Sequence, residues 1–383
     1  MKRQVVFSLT HQDGNSRVGI FQTAHGKIET PFFMPAATKA TGKCLTTDDY
    51  TVIGLPAVIS NALILSLKPG VDTVKRSHGL HRFMNFKGII FTDCGGFQMS
   101  RSIFEKKSKR ALHFRNPYNQ QAIVLTPQKI MEIEIALGSD VAMMLDDMSP
   151  YGASFEEAKE AMENTHRWAQ ESLQEHQRLK KLLGSKHYAS KQLLFGIIQG
   201  NFYPELREES AKYISQLAFD GIAIGGVAIG EPMEKMYLAI DTALPFIPLD
   251  KPRYVMGVGS PVEILEMIGR GIDCFDSVYP AKMARHDHLF TKKGPLLLGQ
   301  DTYAHDFSPI EKGCKCHACR NYTKAYLHHL SKINEPAGHR LKTIHNLHFI
   351  KQLLDAAKVA IKKKKFEEFK RSFGREYAVK KEI

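Results

Sequence analysis

The sequence predicts an α/β fold in which eight parallel strands alternate with helices and close into a (β/α)8 TIM barrel. Short, continuously apolar runs occur eight times along the 383 residues, and helical patterns follow them. Strands that are apolar on both faces are typical of a buried parallel sheet, and eight is the strand number of this barrel. The runs are residues 31–36, 57–61, 89–93, 141–146, 193–199, 221–225, 253–257 and 274–278.

Helix-start patterns support this alternation of strands and helices. Residues 154–157 form a capping box, Ser-Phe-Glu-Glu, which opens an amphipathic segment that extends to about Leu183. Residues 260–263 repeat the pattern with proline at the first helical position. Residues 126–127, Thr-Pro, begin a third helix, and a last helix is predicted over residues 344–369.

Composition limits the class of protein. No run is apolar enough over sufficient length to span a bilayer, so no membrane partner is expected. Residues 1–10 predict a first strand rather than a signal peptide. Three of the six cysteines are scattered, which is typical of a cytoplasmic protein.

The net charge of +13 suggests a nucleic-acid partner, although a solvated lysine surface explains it equally well. The basic residues 105–110 are predicted to be a loop near the active face.

A cluster of three cysteines indicates a metal site. Cys314, Cys316 and Cys319 are spaced too densely for ordinary core cysteines, and with His345 they match a closed, structural zinc site. The identity of the fourth ligand is less certain from the sequence, since four other histidines are nearby: His317, His328, His329 and His339. His345 is preferred because it is placed at an apolar helix start. We expect one barrel domain over residues 1–383, with a zinc-binding subdomain at 300–346 inserted before the last barrel helix.

Because the zinc site has no open position, the chemistry is expected elsewhere. In such barrels it lies at the carboxyl ends of the strands. Acidic residues or a glutamine stand at four predicted ends: Asp93, Asp146 with Asp147, Gln199, and Asp276. Two carboxylates around a reacting carbon can act as nucleophile and proton shuttle, as in retaining glycosyl transfer. Any one of them alone would be explained as a capping or turn residue.

These segments together resemble the queuine tRNA-ribosyltransferase family, the tRNA-guanine transglycosylases, over nearly the whole chain. The matching segments are residues 92–98, 196–200, 220–231, 256–259, 275–280 and the cysteine cluster with its histidine. The resemblance implies an irregular barrel with an inserted zinc subdomain and one structural zinc per chain. It also implies exchange of the wobble guanine in GUN-anticodon tRNAs for a 7-deazaguanine base, within a homodimer.

The resemblance also implies roles for individual residues. Asp276 would be the nucleophile on the anomeric carbon of the ribose. Asp93 would be the general acid/base that assists guanine departure and deprotonates the incoming base. Asp146 would bind the amidine-like edge of the base, because that edge offers two donors to one carboxylate. Gln199 and the Gly226 N–H would bind the carbonyl oxygen of the base.

Further implied contacts complete the base site and reach the tRNA. Phe97 and Met256 would sandwich the ring, because a flipped-out base needs stacking partners. Asn61 would orient Asp93. The remaining implied contacts are Val227 with the base, and Lys282 and Arg285 with tRNA phosphates.

Three segments depart from the family pattern. Ala62 and Leu63 stand where the family usually has Thr-Tyr, beside the support of Asp93. Lys282 replaces an arginine, so a lysine ammonium, which is a point charge, stands where a guanidinium could donate two parallel hydrogen bonds to a phosphate. Met148 follows Asp146 and Asp147 where bacterial members usually have Glu-Cys, and this altered wall leaves open whether queuine or its aminomethyl precursor is the substrate.

Two other functions fit parts of the sequence. A non-catalytic tRNA-binding partner subunit would keep the fold and the basic charge, but it has no need for both Asp93 and Asp276. A barrel glycosidase would use the same two carboxylates, but it would need neither the zinc cluster nor the basic surface.

Overall fold

The computed structural model describes residues 5–95 and 104–378. Its centre is a parallel sheet whose eight strands follow one another in chain order around a barrel. Each strand coincides with a predicted apolar run. The strands are β1 (Phe32–Pro35), β2 (Ala57–Asn61), β3 (Ile89–Asp93), β4 (Val141–Met143), β5 (Leu193–Ile198), β6 (Gly221–Ile224), β7 (Arg253–Val255) and β8 (Cys274–Ser277).

The barrel closes where β1 meets β2. Just past β1, Ala36 forms a parallel bridge with Ile59, and the Ala37 N–H donates to the Ile59 carbonyl at 2.7 Å. On its other side β1 pairs with β8, which places Asp276 opposite Met34. The predicted (β/α)8 barrel is therefore confirmed.

Aromatic side chains fill the barrel interior. Phe91 of β3 meets Phe195 of β5 and Tyr254 of β7 edge to face, with ring centroids 5.6 and 6.0 Å apart. Phe21, from outside the barrel sheet, contacts Phe91 and Phe195 and is almost fully buried. Edge-to-face packing of large rings gives a dense core, so the barrel encloses no channel here.

Phe21 belongs to a three-stranded antiparallel sheet that precedes the barrel. Its strands are Phe7–Asp13, Ser16–Thr23 and Gly26–Glu29. Arg17 in the middle strand is buried, pairs with Asp273 and donates to two further backbone carbonyls. The predicted N-terminal strand thus exists as Phe7–Asp13 within this sheet. Arg17 of the middle strand anchors the sheet to the start of β8.

Helices surround the barrel, and their starts follow the predicted capping patterns. Ser154 and Glu157 form the reciprocal capping box, and the helix ends at Leu183 as predicted. Thr126 and Ser260 cap their helices through the side chain. The helices before the C-terminal region are Thr47–Ile53, Ala62–Leu65 with its π-helical continuation Ser66–Gly70, Val71–Arg76, Leu80–Met84, Pro127–Leu137, Phe155–Leu183, Pro204–Gln216, Met233–Ala243 with the 3-10 turn Leu244–Phe246, and Pro261–Arg270.

Between β3 and β4 the chain forms a second antiparallel sheet, of strands Phe104–Lys107, Leu112–Arg115 and Ala122–Leu125. The prediction that residues 105–110 form a loop is wrong for the first three, because they belong to the strand Phe104–Lys107, in which Lys106 and Lys107 pair with the following strand. Within the described ranges, no helix is both long and apolar enough to cross a membrane.

The C-terminal region returns to the barrel through a long helix. After β8 come the helix Tyr279–Arg285, a hairpin of strands His288–Thr291 and Gly294–Leu297, the 3-10 turn Asp301–Tyr303, and the helices His317–Asn321, Lys324–Lys332, Pro336–Lys362 and Phe366–Ala378. The predicted bounds of the last helix, 344–369, are wrong. Proline at the first helical position starts it at Pro336. It ends at Lys362, because Lys364 adopts a positive φ of 58°.

Candidate active site

A cavity of about 520 Å³ opens at the carboxyl end of the barrel strands. The residues in its wall come from the eight barrel strands or from the segments that follow them. They meet because the parallel strands of a barrel present the same end to one side. The wall contains eight residues singled out from the sequence: Asp93, Asp146, Gln199, Gly226, Val227, Met256, Asp276 and Lys282.

Asp276 lies near the end of β8 and is held by two donors. The hydroxyl of Tyr254 donates to Oδ1 at 2.6 Å, and the backbone N–H of Gly257 donates to the same oxygen at 3.0 Å. Burial raises the pKa of Asp276, while these two hydrogen bonds act in the opposite direction. The carboxylate is therefore fixed through one oxygen.

Asp93 is the last residue of β3 and faces two other carboxylates. Burial, followed by the negative charges of Asp146 and Asp276, raises its pKa to about 7. Hydrogen bonds from Gly95 and Cys94 oppose this shift. A carboxyl group with a pKa near neutrality can both give and take a proton at physiological pH.

Asp146 follows β4 and forms the floor of the cavity with Gln199. The amide Nε2 of Gln199 donates to its Oδ2 at 2.6 Å, and the thiol of Cys94 lies 3.5 Å from Oδ1. Burial raises the pKa of Asp146 to about 6 in spite of these bonds. The amide of Gln199 therefore fixes the orientation of the Asp146 carboxylate in the cavity.

Asp147, the neighbouring candidate, points away from the cavity. Asn164 donates to its Oδ2 at 2.9 Å, and the ammonium of Lys107 lies 3.1 Å from the same oxygen. Its backbone N–H donates to Thr165. Asp147 thus ties the end of β4 to the helix Phe155–Leu183 through side-chain contacts, and its carboxylate caps no helix or turn in the described part of the chain.

The turn after β6 brings backbone into the cavity. Gly226 has a φ of +63°, and a Cβ there would lie 2.4 Å from Oε1 of Gln199, so only glycine fits. The buried guanidinium of Arg207 donates to the carbonyls of Gly225 and Gly226 at 2.8 and 3.1 Å. Because Arg207 binds the carbonyls of both glycines, the backbone conformation of this turn is fixed.

Asn61 lies beside Asp93, because β2 and β3 pair these two residues in register. Its side-chain oxygen accepts the N–H of Ile64 at 2.8 Å and so caps the short helix Ala62–Leu65. A Cβ on Gly95 would lie 2.5 Å from that oxygen, so the glycine permits this packing. Ala62 and Leu63, the departures from the family pattern, are both buried in this helix.

The two expected stacking residues have different outcomes. Met256 lies in the wall, half-buried and packed on the barrel core. Phe97 lies outside the described residues.

Lys282 and Arg285 lie one turn apart on the helix Tyr279–Arg285, next to β8. Lys282 is exposed and belongs to the cavity wall, whereas Arg285 is half-buried. Met148 also lines the cavity, as expected from its place after Asp147.

The predicted metal ligands converge in the C-terminal region. Sγ of Cys314, Cys316 and Cys319 lies 3.9, 3.5 and 3.4 Å from Nδ1 of His345. A tetrahedral zinc ion with ordinary bond lengths separates sulfur and nitrogen ligands by about 3.5 Å. The four atoms therefore fit such an ion.

The ring of His345 is fixed for ligation. Its Nε2 lies 2.8 Å from the carbonyl of Phe290, so Nε2 carries the proton and Nδ1 is free to bind a metal. The nearby histidines have other partners: His328 contacts the Leu298 carbonyl and His339 contacts Asn334. Of the histidines in the described residues, His345 is the one that the structure places with the three cysteines, although it lies well inside the helix Pro336–Lys362 and not at its start.

Three residues of the site were missed from the sequence: Tyr254, Arg207 and Cys94. A pattern was available for Arg207, since it shares the buried helix face of Ser210, Ala211 and Ile214, and a charged residue on such a face needs partners. Tyr254 and Cys94 had no comparable pattern, because each acts on a carboxylate distant in the chain.

Comparison with known proteins agrees with this geometry. The family model described as queuine tRNA-ribosyltransferase matches residues 13–379. A queuine tRNA-ribosyltransferase of Thermoanaerobacter sp. (strain X514) is 42% identical over 369 residues, 96% of each chain. One from Pelotomaculum thermopropionicum is 43% identical over 376 residues, 97% of this chain and 99% of its own. One from Desulforamulus reducens is 44% identical over 359 residues, 94% of each chain.

An eight-stranded barrel with buried carboxylates at the carboxyl ends of its strands and a separate Cys3His cluster defines an enzyme of the barrel class. The family match covers nearly the whole chain. This chain belongs to the queuine tRNA-ribosyltransferase family.

Proposed function

We propose that this protein is a tRNA-guanine transglycosylase of queuosine modification. It exchanges the wobble guanine of GUN-anticodon tRNAs for a 7-deazaguanine base, through a covalent ribosyl–Asp276 intermediate. The observation that carries the proposal is the pairing of two unlike carboxylates in one cavity. Asp276 is anchored by two hydrogen bonds to one oxygen, and Asp93 has a pKa of about 7.

In the first half-reaction, a carboxylate oxygen of Asp276 attacks C1′ of the ribose. The C1′–N9 bond breaks, its electron pair leaves with guanine, and protonated Asp93 supplies the proton that neutralises the departing base. Oδ1 of Asp276 is occupied by Tyr254 and Gly257, so Oδ2 is the attacking oxygen. A protonated carboxyl group is available at neutral pH because of the raised pKa of Asp93.

In the second half-reaction, Asp93, now ionised, takes the N9 proton of the incoming deazaguanine. N9 attacks C1′ and the ester to Asp276 breaks, which regenerates both carboxyl groups in their starting states. The exchange therefore needs no external acid or base.

Base selection follows from the floor of the cavity. Asp146 would accept the two donors of the amidine-like edge. Gln199 uses one amide hydrogen on Asp146, and its second hydrogen, with the Gly226 N–H, would bind the base carbonyl. Val227 lies next to this donor in the wall. Met256 would stack on one face of the ring and Phe97 on the other.

The partners and the metal follow from the same assignment. Zinc is the ion that the Cys3His donor set favours, and it would clip the C-terminal region in place. A second hydrophobic core, which includes Ile310, Leu327 and Leu330, supports a zinc-binding subdomain at 300–346 within the single barrel domain. Lys282 and Arg285 would contact phosphates, supported by the net charge of +13. We infer a homodimer, and a cytoplasmic location where thiolate ligands stay reduced.

The experiment that tests this function is a chase of radiolabelled guanine already placed at the wobble position. Queuine and its aminomethyl precursor are added separately. Release by either base supports the proposal, and the difference between them shows which base the Met148 wall accepts. Release by neither would favour a tRNA-binding partner subunit instead.

A covalent-trapping measurement separates the remaining alternatives. Wild-type protein is expected to form a tRNA adduct that survives denaturation. Asp276→Asn should lose both the adduct and the exchange, yet bind tRNA nearly as well as the wild type. Normal turnover by Asp276→Asn would exclude this residue as the nucleophile.

A further inference from the structure

The antiparallel sheet between β3 and β4 lies at the same end of the barrel as the carboxylate cavity. It follows Asp93, the last residue of β3, and leads into the helix Pro127–Leu137, which returns the chain to the amino end of β4. In such a barrel, the segments that connect a strand to the next helix lie at the carboxyl end. The ammonium of Lys107 also lies 3.1 Å from Asp147, which follows the cavity residue Asp146. The sheet therefore lies beside the cavity.

This part of the chain carries positive charge without negative charge. Residues 106–131 contain six lysines and arginines and no aspartate or glutamate. Acidic residues number 40 among the 383 of the whole chain, so about two or three would be expected in a segment of this length. An excess of one sign over a continuous segment indicates a partner of the opposite sign. The six cations are Lys106, Lys107, Lys109, Arg110, Arg115 and Lys129.

Three of these cations are available to a partner. Lys106, Lys109 and Arg110 are exposed, and within the described ranges no carboxylate lies within ion-pair distance of them. Lys107 and Lys129 differ, because each of them pairs with a carboxylate. The three available cations lie close together, at the turn between the first two strands of the sheet. An anionic partner would therefore meet all three at once.

The turn that carries these cations is held by the long helix Phe155–Leu183. Arg167 of that helix donates to the carbonyl of Lys109 at 2.8 Å, and the indole N–H of Trp168 donates to the same oxygen at 3.1 Å. Trp168 is fully buried, so the turn is anchored to the core. Arg167 is exposed and adds a further cation beside the turn. Because the backbone is already fixed, little conformational entropy is lost when a ligand binds there.

We propose that this turn is a docking surface for the phosphates of the tRNA anticodon arm. The proposal rests on the proposed function, in which the wobble nucleotide enters the neighbouring cavity, so that the rest of the arm must lie over the rim around it. Phosphate contacts from lysine and arginine side chains supply much of the affinity for a nucleic acid and set its register.

An aromatic side chain extends the same surface. Tyr118, which is 48% exposed, lies at the other end of the strand Leu112–Arg115 from the turn. The ammonium of Lys68, from the segment that follows β2, lies 5.2 Å from the centroid of its ring. An exposed ring beside a cation is typical of RNA-binding surfaces, where rings stack on bases and cations meet phosphates. The surface therefore has both kinds of group that RNA requires.

The test is the salt dependence of tRNA binding by the full-length protein, measured by fluorescence anisotropy with a GUN-anticodon tRNA. The variant Lys106→Gln/Lys109→Gln/Arg110→Gln should reduce the slope of log K against log salt by about two to three, since each lost phosphate contact reduces it by about 0.7–0.9. Its affinity at about 0.15 M salt should fall at least about tenfold. The single variant Arg110→Gln should show about one third of the change in slope.

A matched control removes the same charge from the opposite end of the barrel. Lys181, Lys186 and Lys191 are exposed and precede β5, so they lie at the amino ends of the strands. The variant Lys181→Gln/Lys186→Gln/Lys191→Gln should therefore keep the wild-type slope. An equal loss of slope in this control would show that only the net charge matters, and it would overturn the docking surface.

A minihelix of the anticodon arm locates the contact on the RNA. The triple variant at residues 106–110 should lose the same slope with the minihelix as with complete tRNA, and its loss of guanine exchange should appear in the KM for tRNA. A wild-type slope with either RNA would overturn the proposal. Because binding is measured without turnover, failure of the exchange reaction would count against the proposed function and would leave the binding result unaffected.

Discussion

The hydroxyl of Tyr254 donates a 2.6 Å hydrogen bond to Oδ1 of Asp276 across the neighbouring strands β7 and β8. Tyr254 is fully buried, and burial followed by the charge of Asp276 raises its pKa well above the ordinary value. The tyrosine therefore remains a neutral donor whenever the carboxylate is ionised. It stabilises the charged form of the proposed nucleophile and holds one of its oxygens.

Tyr254→Phe should reduce the rate of adduct formation while leaving the fold intact. Loss of a hydrogen bond to a charged group costs about 1.5–3 kcal/mol, which corresponds to roughly a tenfold to hundredfold slower step. The bond lowers the pKa of Asp276, so its removal raises that pKa and moves the acidic limb of the rate profile to higher pH. Single-turnover rates across pH measure both effects, and an unchanged profile would contradict this role.

The two half-reactions should depend on pH in opposite directions around the Asp93 pKa of about 7. Guanine release needs protonated Asp93, so it should slow as the pH rises above that value. Transfer to the incoming base needs ionised Asp93, so it should slow as the pH falls below it. Adduct formation and adduct discharge can be timed separately. A parallel pH dependence of both steps would argue against one residue serving as acid and base.

Asp93→Asn should abolish exchange and stabilise the free protein at neutral pH. The folded-state pKa of Asp93 lies above the unfolded value of about 3.9, so the folded state holds the extra proton. Its contribution to stability is therefore lost as the pH rises from about 4 to 7. Asparagine has no such dependence, and its advantage should approach about 4 kcal/mol above pH 7, because each unit of pKa difference corresponds to about 1.36 kcal/mol. Denaturant unfolding at about pH 5 and pH 8 measures it; an equal difference at both values would refute the buried-charge explanation.

Gly226→Ala should weaken base binding more than it weakens the fold. The new Cβ would meet Oε1 of Gln199, and the positive φ costs about 1–2 kcal/mol for a residue with a side chain. The matched control is Gly14→Ala, at a φ of +58° with nothing within 4 Å of its Cβ. Both variants should lose the stability that the positive φ costs, Gly226→Ala should lose more because of its contact with Gln199, and only Gly226→Ala should raise the KM for the base. Equal KM values for the two variants would show that the turn at Gly226 does not contribute to binding of the base.

Cys316→Ser should release the metal of the Cys3His cluster and loosen the C-terminal region. Cys316 is buried, and its Sγ also accepts the N–H of Cys319 at 3.3 Å, so ligation and helix capping are both weakened. Metal analysis should show one ion fewer per chain, and limited proteolysis should begin near residues 300–346. Cys44→Ser, at a cysteine outside the cluster, should change neither. Unchanged metal content in Cys316→Ser would show that the ligand set is wrong.

Local sequence patterns were sufficient for the barrel and for its catalytic candidates. Continuously apolar runs predicted all eight strands, and capping residues such as Ser154 predicted helix starts, because both effects act over a few residues. Apart from their first strand, the antiparallel sheets were missed, since largely exposed strands such as Ala122–Leu125 lie outside the pattern of buried parallel strands. The early start of the last long helix was missed because the proline at Pro336 outweighs the weak apolar pattern before Ile344.

The sequence by itself determined which residues are candidates for the chemistry and for the metal, from Asp93 and Asp276 to the three cysteines, because residue type and position along a strand are local properties. Only the tertiary structure decided how they are held. The Tyr254–Asp276 bond, the support of the Gly226 turn by Arg207, and the pairing of Lys107 with Asp147 all join residues that are distant in the chain. Such contacts arise from closure of the barrel, which brings far-apart segments within bonding distance and leaves no local pattern.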